Sequence, residues 1–209
     1  MYVPALYRET SPEAIYGFIE QHSFGLLVSN GPDGFHATHL PFALSRPATS
    51  GGDAVLFGHM ARANPQWQAL DGAEVLAVFQ GPHAYVSPSW YATHPAVPTW
   101  DYTAVHATGR FAVIDDPAEI DASMAALVGL YEEEGSGWRF EELPADYKGR
   151  MLRAIVTFKV TVTRFEVSFK LSQNRPPADR RNVAAALRRR GDADGLAVAD
   201  LIEAALAGK

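Results

Sequence analysis

Short apolar runs separated by dense turn signals fill the first half of this chain, a rhythm of strands rather than helices. Residues 24–29 (FGLLVS) read as a buried strand and Asn30-Gly31-Pro32-Asp33-Gly34 as a tight turn; residues 35–43 then form the partner strand of a hairpin. Residues 45–53 are a polar loop, after which 55–57 and 74–79 supply a third and a fourth strand. Residues 103–114 return to strand, with Gly109 expected as a bulge. The strongest strand signal is 153–170, RAIVTFKVTVTRFEVSFK, which is apolar on both alternating faces and therefore central or bent.

A helical period appears in four places. Ser11 caps and Pro12 opens a helix whose Ile15, Phe18 and Ile19 share one face. Asp115-Asp116-Pro117 opens a second, running to about Glu134 with Ile120, Met124, Leu127, Val128 and Tyr131 as its stripe. Residues 179–190 form a basic helix and 196–207 an Ala-rich one. Six or seven strands with peripheral helices, and no regular βαβ alternation, predict a mainly β (α+β) chain. The expected architecture is a β-barrel over residues 1–175 with a helical appendage over 176–209.

Composition narrows the function. The chain has 209 residues, 47% hydrophobic and 20% charged, with no stretch near the roughly 20 apolar residues of a membrane helix. Its start, MYVPALYRET, is not the basic-then-apolar pattern of a secretory signal. The absence of cysteine excludes disulfides, thiolate metal sites and a Cys nucleophile, and fits a cytoplasmic protein. Residues 175–190 carry six basic and one acidic side chain, a +5 segment on a chain of net charge −6. Arg180, Arg181, Arg188, Arg189 and Arg190 of that segment are the one DNA-facing candidate; a solvated helix with arginines at its C-terminal end is the alternative.

The richest candidate chemistry lies in residues 56–67, LFGHMARANPQW. Gly58 reads as a strand end, and Asn64-Pro65 as a helix cap and first position. With Arg62 and His59 these make a corner suited to a phosphate, or a strand-to-helix turn whose Arg faces water. His36 and His39, three apart on a strand, point to opposite faces, so no metal site is expected. Ser87, Ser89 and Ser168 lack a nucleophile elbow, and no P-loop or Rossmann glycine pattern occurs. The proline-rich stretch 80–102 holds Tyr85, Trp90, Tyr91, Trp100 and Tyr102, read as walls for a planar ligand or as a roof on the barrel.

MYVP at the start, HLPF (39–42), GHMARANPQW (58–67), GPHAYVSPSWY (81–91), VPTWDY (97–102) and KLSQN (170–174) together resemble the PaiB-like family, described as FMN-binding negative transcriptional regulators. The resemblance implies a split β-barrel of the FMN-binding type, usually a homodimer with FMN in the cleft between subunits. It places Thr38, His39, Leu40 and Pro41 against the isoalloxazine ring, and His59, Met60, Arg62 and Asn64 around the ribityl phosphate. Two other uses of such a fold are a flavin-dependent oxidoreductase without DNA binding and, given His39, His59 and His106, a haem-handling barrel.

Overall fold

In the computed structural model, residues 1–31, 33–49, 52–133 and 135–208 are described. Pro32 of the expected turn, Ser50 and Gly51 of the polar loop and the expected helix end at Glu134 lie outside them. The described residues form seven strands: β1 (Phe24–Gly31), β2 (Gly34–Pro41), β3 (Ala43–Ser45), β4 (Val55–Ala61), β5 (Glu74–Val86), β6 (Thr99–Val113) and β7 (Ile155–Lys170). Five α-helices accompany them: α1 (Pro12–Gln21), α2 (Pro117–Gly129), α3 (Ala145–Arg153), α4 (Pro177–Arg190) and α5 (Ala193–Leu206). The sheet order is β2-β1-β5-β6-β7-β4-β3, and its two ends are not joined by a ladder, so the barrel is split.

The chain forms two compact units. One comprises residues 16–79 and 106–165, the other residues 1–15, 80–105 and 166–209. The core of the first is an aromatic stack. Phe42 meets Phe79 edge-on at 5.4 Å and Phe158 at 6.2 Å, while Phe111 stacks on Phe158 at 4.7 Å. All four rings are fully buried, and each such burial contributes roughly 1.5–3 kcal/mol. Gly58 lies directly opposite Phe158 in the β4–β7 ladder, and a Cβ there would sit 2.7 Å from the ring. The glycine therefore makes room for an aromatic neighbour and does not end the strand, so β4 continues to Ala61. Gly109 works similarly: its Cβ would lie 2.4 Å from the Thr161 carbonyl, and β6 continues through it to Val113.

In the second unit α4 and α5 bury Val183, Ala184, Leu187, Val198, Ala199 and Ile202 against Ala84, Val86, Tyr91 and Leu171. Trp90 packs on the same cluster. Much of the stretch expected as a loop is strand, since β5 extends to Val86 and β6 begins at Thr99. Asp116 caps α2 by accepting from Ala118 N at 2.7 Å and Glu119 N at 3.1 Å, as its spacing before Pro117 predicts.

Candidate functional site

β2 is an edge strand whose alternation divides it cleanly. His36 and Thr38 turn inward and are half-buried, whereas Phe35, Ala37 and His39 are exposed. In β1 the same outward face carries Phe24, Leu26 and Val28, with Leu26 paired to His39 and Val28 to Ala37. Phe24 is 66% exposed and its ring stacks on His39 at 6.2 Å and 19°. Phe35 is 83% exposed. The result is a flat, largely apolar wall with an imidazole set into it, the kind of surface a planar ring ligand requires.

β2 is held to the corner after β4 by side chains. Gln66, 5% exposed, donates from Nε2 to Leu27 O at 3.2 Å and to Ser29 Oγ at 3.0 Å, and its Oε1 accepts from Thr38 Oγ1. Asn64 Nδ2 donates to Thr38 Oγ1 at 3.0 Å, and Asn64 Oδ1 accepts from Gln66 N at 3.0 Å. Asn64 thus caps the 3₁₀ turn Pro65–Ala69 with its own carbonyl oxygen, so that end is not an open anion cradle. Thr38 and Asn64, expected at opposite ends of one ligand, touch each other directly.

Arg62 is exposed and its guanidinium is partly committed. Nε donates to Arg153 O at 2.8 Å and Nη2 to Ile155 O at 2.7 Å, with Cζ 5.9 Å over the Trp67 ring. Two of five N–H donors are spent on carbonyls, which leaves three donors and the whole charge. The carbonyls fix the side chain in place, a pre-organised cation rather than a floppy one. His59, opposite Thr157 in the ladder, has an Nδ1 that is buried without any partner, and burial pushes its pKa below the ordinary histidine value. Leu40 (7% exposed) and Met60 (2%) are core side chains, so they offer a ligand only main-chain groups. Pro41 is half-buried at the end of β2.

The aromatic set of residues 80–102 does not form one wall. Tyr91 is core and Trp90 packs on it, while Tyr85 and Trp100 meet edge-on at 6.1 Å, both exposed by more than a third. The VPTWDY and KLSQN segments do come together. Ser172, at φ 57°, donates from Oγ to the fully buried Asp101 at 2.6 Å, and Lys170 donates to Thr99 Oγ1 and the Trp100 carbonyl. Burial raises the Asp101 pKa and lowers that of Lys170. Of the basic helix, Arg188 is held by Glu203 and Asp200 at 2.6 Å each and Arg190 by Asp192; Arg181 and Arg189 remain exposed. Ser87 and Ser89 bond one another at 2.8 Å. Among the described residues no three His, Asp or Glu side chains gather into a metal-binding group, and no helix is long and apolar enough to cross a membrane.

A split barrel with an apolar edge wall, a fixed arginine and an orphaned imidazole describes a class of flavin-binding fold. Comparison with solved structures agrees on the fold. The flavocytochrome Anf3 of Azotobacter vinelandii superposes with a TM-score of 0.60 at 13% identity, over 78% of this chain and 69% of that one. An FAD and haem binding protein of Mycobacterium smegmatis superposes at 0.59 and 18%, over 78% and 73%. In sequence, the family described as "Putative FMN-binding domain" matches residues 1–164. Protease synthase and sporulation protein PAI 2 of Bacillus subtilis is 34% identical over 207 residues, 97% of both chains. This chain belongs to that FMN-binding family, in its PaiB-like branch, and its cofactor is FMN.

The residues present fit that group. The unpartnered Nδ1 of His59 and the three uncommitted donors of Arg62 are the hydrogen-bonding capacity a phosphate consumes, and the Phe24–His39 wall is flat enough for the ring. Gln66 and Phe24 escaped the reading of the sequence. A buried glutamine one residue into a helical turn has no periodic signature, and Phe24 looks like an ordinary strand start.

Proposed function

We propose that this protein is an FMN-binding homodimer that acts as a negative transcriptional regulator of the PaiB type. The isoalloxazine ring lies on the outer face of β2 beside His39, with Thr38, Leu40 and Pro41 contributing main chain. Arg62 and His59 take the phosphate, while Asn64 shapes the corner by pinning Thr38 and Met60 supports it from the core. The single observation that carries this reading is His59 Nδ1, a buried polar atom with no partner, on the strand that ends at a pre-organised Arg62. Leaving such an atom unsatisfied costs about 1–3 kcal/mol, which a bound acceptor would recover.

The homodimer is supported by the exposed Phe24 and Phe35, whose cover by a second copy would remove apolar surface from water and enclose the ring. The regulatory role is supported by likeness to PAI 2 along nearly the whole chain, and Arg181 and Arg189 are the cations of α4 left for a phosphate backbone. FMN supplies reversible electron-transfer chemistry when bound. The protein's own residues position it and exclude water from its face.

The test is a titration of the purified protein with FMN, read by quenching of flavin fluorescence, with sedimentation run on the same samples. Saturable binding of one FMN per chain in a two-chain particle is the expected result. A monomer at micromolar concentration, or no quenching, contradicts the reading.

A further inference from the structure

The unit made of residues 16–79 and 106–165 contains a cavity of about 810 Å³, within the size range of small-molecule sites. Its walls come from the corner after β4 (Trp67, Asp71), the β6–α2 junction (Val113, Asp115), α3 (Leu152, Arg153) and the start of β7 (Ile155). The flavin site described above shares with it Arg62 at the cavity's edge, the Arg153 and Ile155 carbonyls that hold Arg62 and the Trp67 ring beneath it; the other wall side chains, and that of Arg153, take no part in the flavin site.

Two features define what this space would accept. The first is apolar. Val113, Ile120, Leu152 and Ile155 line the cavity and are only half-buried, so their remaining aliphatic surface faces the cavity or its mouth rather than the core. The Trp67 indole, also half-buried, adds a flat wall, and its Nε1 is already used on Arg62 O at 3.1 Å.

The second is a pair of opposite charges that are not spent. Asp71 accepts from Val113 N at 3.1 Å, and Asp121 accepts from Lys148 at 2.9 Å. Arg62 is fixed by the two carbonyls, and the three donors and the charge it keeps belong to the flavin phosphate in the reading above. Arg153 and Asp115 differ: both line the cavity, and among the described residues neither side chain makes a hydrogen bond or an ion pair, with each other or with anything else. A simple anion would satisfy one and be repelled by the other. A ligand carrying both charges would satisfy both.

We propose that this cavity binds a hydrophobic α-amino acid. Its carboxylate pairs with Arg153, its ammonium with Asp115, and its apolar side chain lies against Val113, Ile120, Leu152 and the Trp67 ring. Arginine and a carboxylate match in planar two-point geometry, and an aspartate is acceptor-only when ionised, so each end has one suitable partner. In a flavin-binding regulator such a site would make the protein responsive to amino-acid supply, but the binding itself stands whether or not the flavin lies as described.

The experiment titrates the full chain with L-phenylalanine by isothermal calorimetry, beside N-acetyl-L-phenylalanine, which lacks the ammonium, and phenethylamine, which lacks the carboxylate. L-Phenylalanine should bind roughly ten-fold more tightly than either analogue, the effect of one lost charged hydrogen bond. Arg153→Ala should erase its advantage over phenethylamine, and Asp115→Asn its advantage over the N-acetyl compound. Both side chains are exposed, so thermal melts of the two variants should match the native protein. FMN affinity should also be native in Asp115→Asn, a residue with no part in the flavin site, so a failed flavin titration and a failed amino-acid titration are read separately. No binding of L-phenylalanine at millimolar concentration, or binding that neither variant alters, overturns the proposal. So does complete displacement by saturating FMN, which would make the cavity the flavin's own.

Discussion

Replacing Gln66 by Met keeps the length and volume of the side chain and deletes its amide. The amide makes four hydrogen bonds in a 5% exposed site: to Leu27 O at 3.2 Å, to Ser29 Oγ at 3.0 Å, more weakly to His36 O at 3.5 Å, and from Thr38 Oγ1. At about 1 kcal/mol net for each of the three shorter bonds, Gln66→Met should cost about 3 kcal/mol of folding stability, with Thr38 Oγ1 still accepting from Asn64 Nδ2. For a chain of this size that is a fall in Tm of roughly 6–12 °C. Urea unfolding followed by tryptophan fluorescence measures it, with the slope of the transition expected to stay native. FMN affinity should fall as well, because Thr38 loses one of its two ties to the corner carrying Arg62 and keeps only the bond from Asn64. A loss below about 1 kcal/mol would show that the network does not hold the fold together, and an intact FMN affinity would show that it does not set the site.

Three further outcomes follow from the same geometry. Gly58→Val places a branched side chain where a Cβ already meets the Phe158 ring at 2.7 Å, and should destabilise the fold by about 1–3 kcal/mol in the same unfolding assay. Asn64→Ala removes the cap on Gln66 N and the bond to Thr38, a loss of about 1–2 kcal/mol, checked by thermal melting. His59 has a folded pKa below its unfolded value, so the unfolded chain takes up a proton first as pH falls. Its contribution is complete above pH about 6.5 and fades below it; His59→Gln should therefore flatten the decline in urea midpoint between pH 7 and pH 5, leaving the part due to the similarly buried His22. Equal declines in both proteins would remove His59 from that role.

Features written in local pattern were legible before any coordinates. The hairpin of β1 and β2, the Asp116 cap before Pro117, the Asn64 cap before Pro65 and the paired C-terminal helices all follow from spacing within a few residues. What depended on distant partners was not. Gly58 reads as a terminator until Phe158, a hundred residues away, is seen filling the space above it. The helix α3, ADYKGRMLR, is amphipathic but only nine residues long, with Gly149 at its middle and no side-chain cap, so its period is too brief to stand out. Pro82 and the aromatic density of residues 80–102 imitate a loop, although nearly half of the segment is the continuation of β5 and the start of β6.

The candidate site divides the same way. Arg62 and His59 were visible as chemistry because charge and imidazole stand out in any context. That Arg62 would be fixed by the carbonyls of Arg153 and Ile155, and that Leu40 and Met60 would turn into the core, depends on packing that no short window contains.

The most direct test of the account compares FMN with riboflavin, which has the same ring and no phosphate, on the native chain and on Arg62→Ala. A phosphate held by a fixed guanidinium is worth roughly 1.5–3 kcal/mol, about ten- to a hundred-fold in Kd. The native protein should prefer FMN by at least that ratio, and Arg62→Ala should bind the two flavins nearly alike, with riboflavin affinity unchanged. A native protein that does not distinguish them, or a variant that keeps the full preference, would place the phosphate elsewhere and contradict the site.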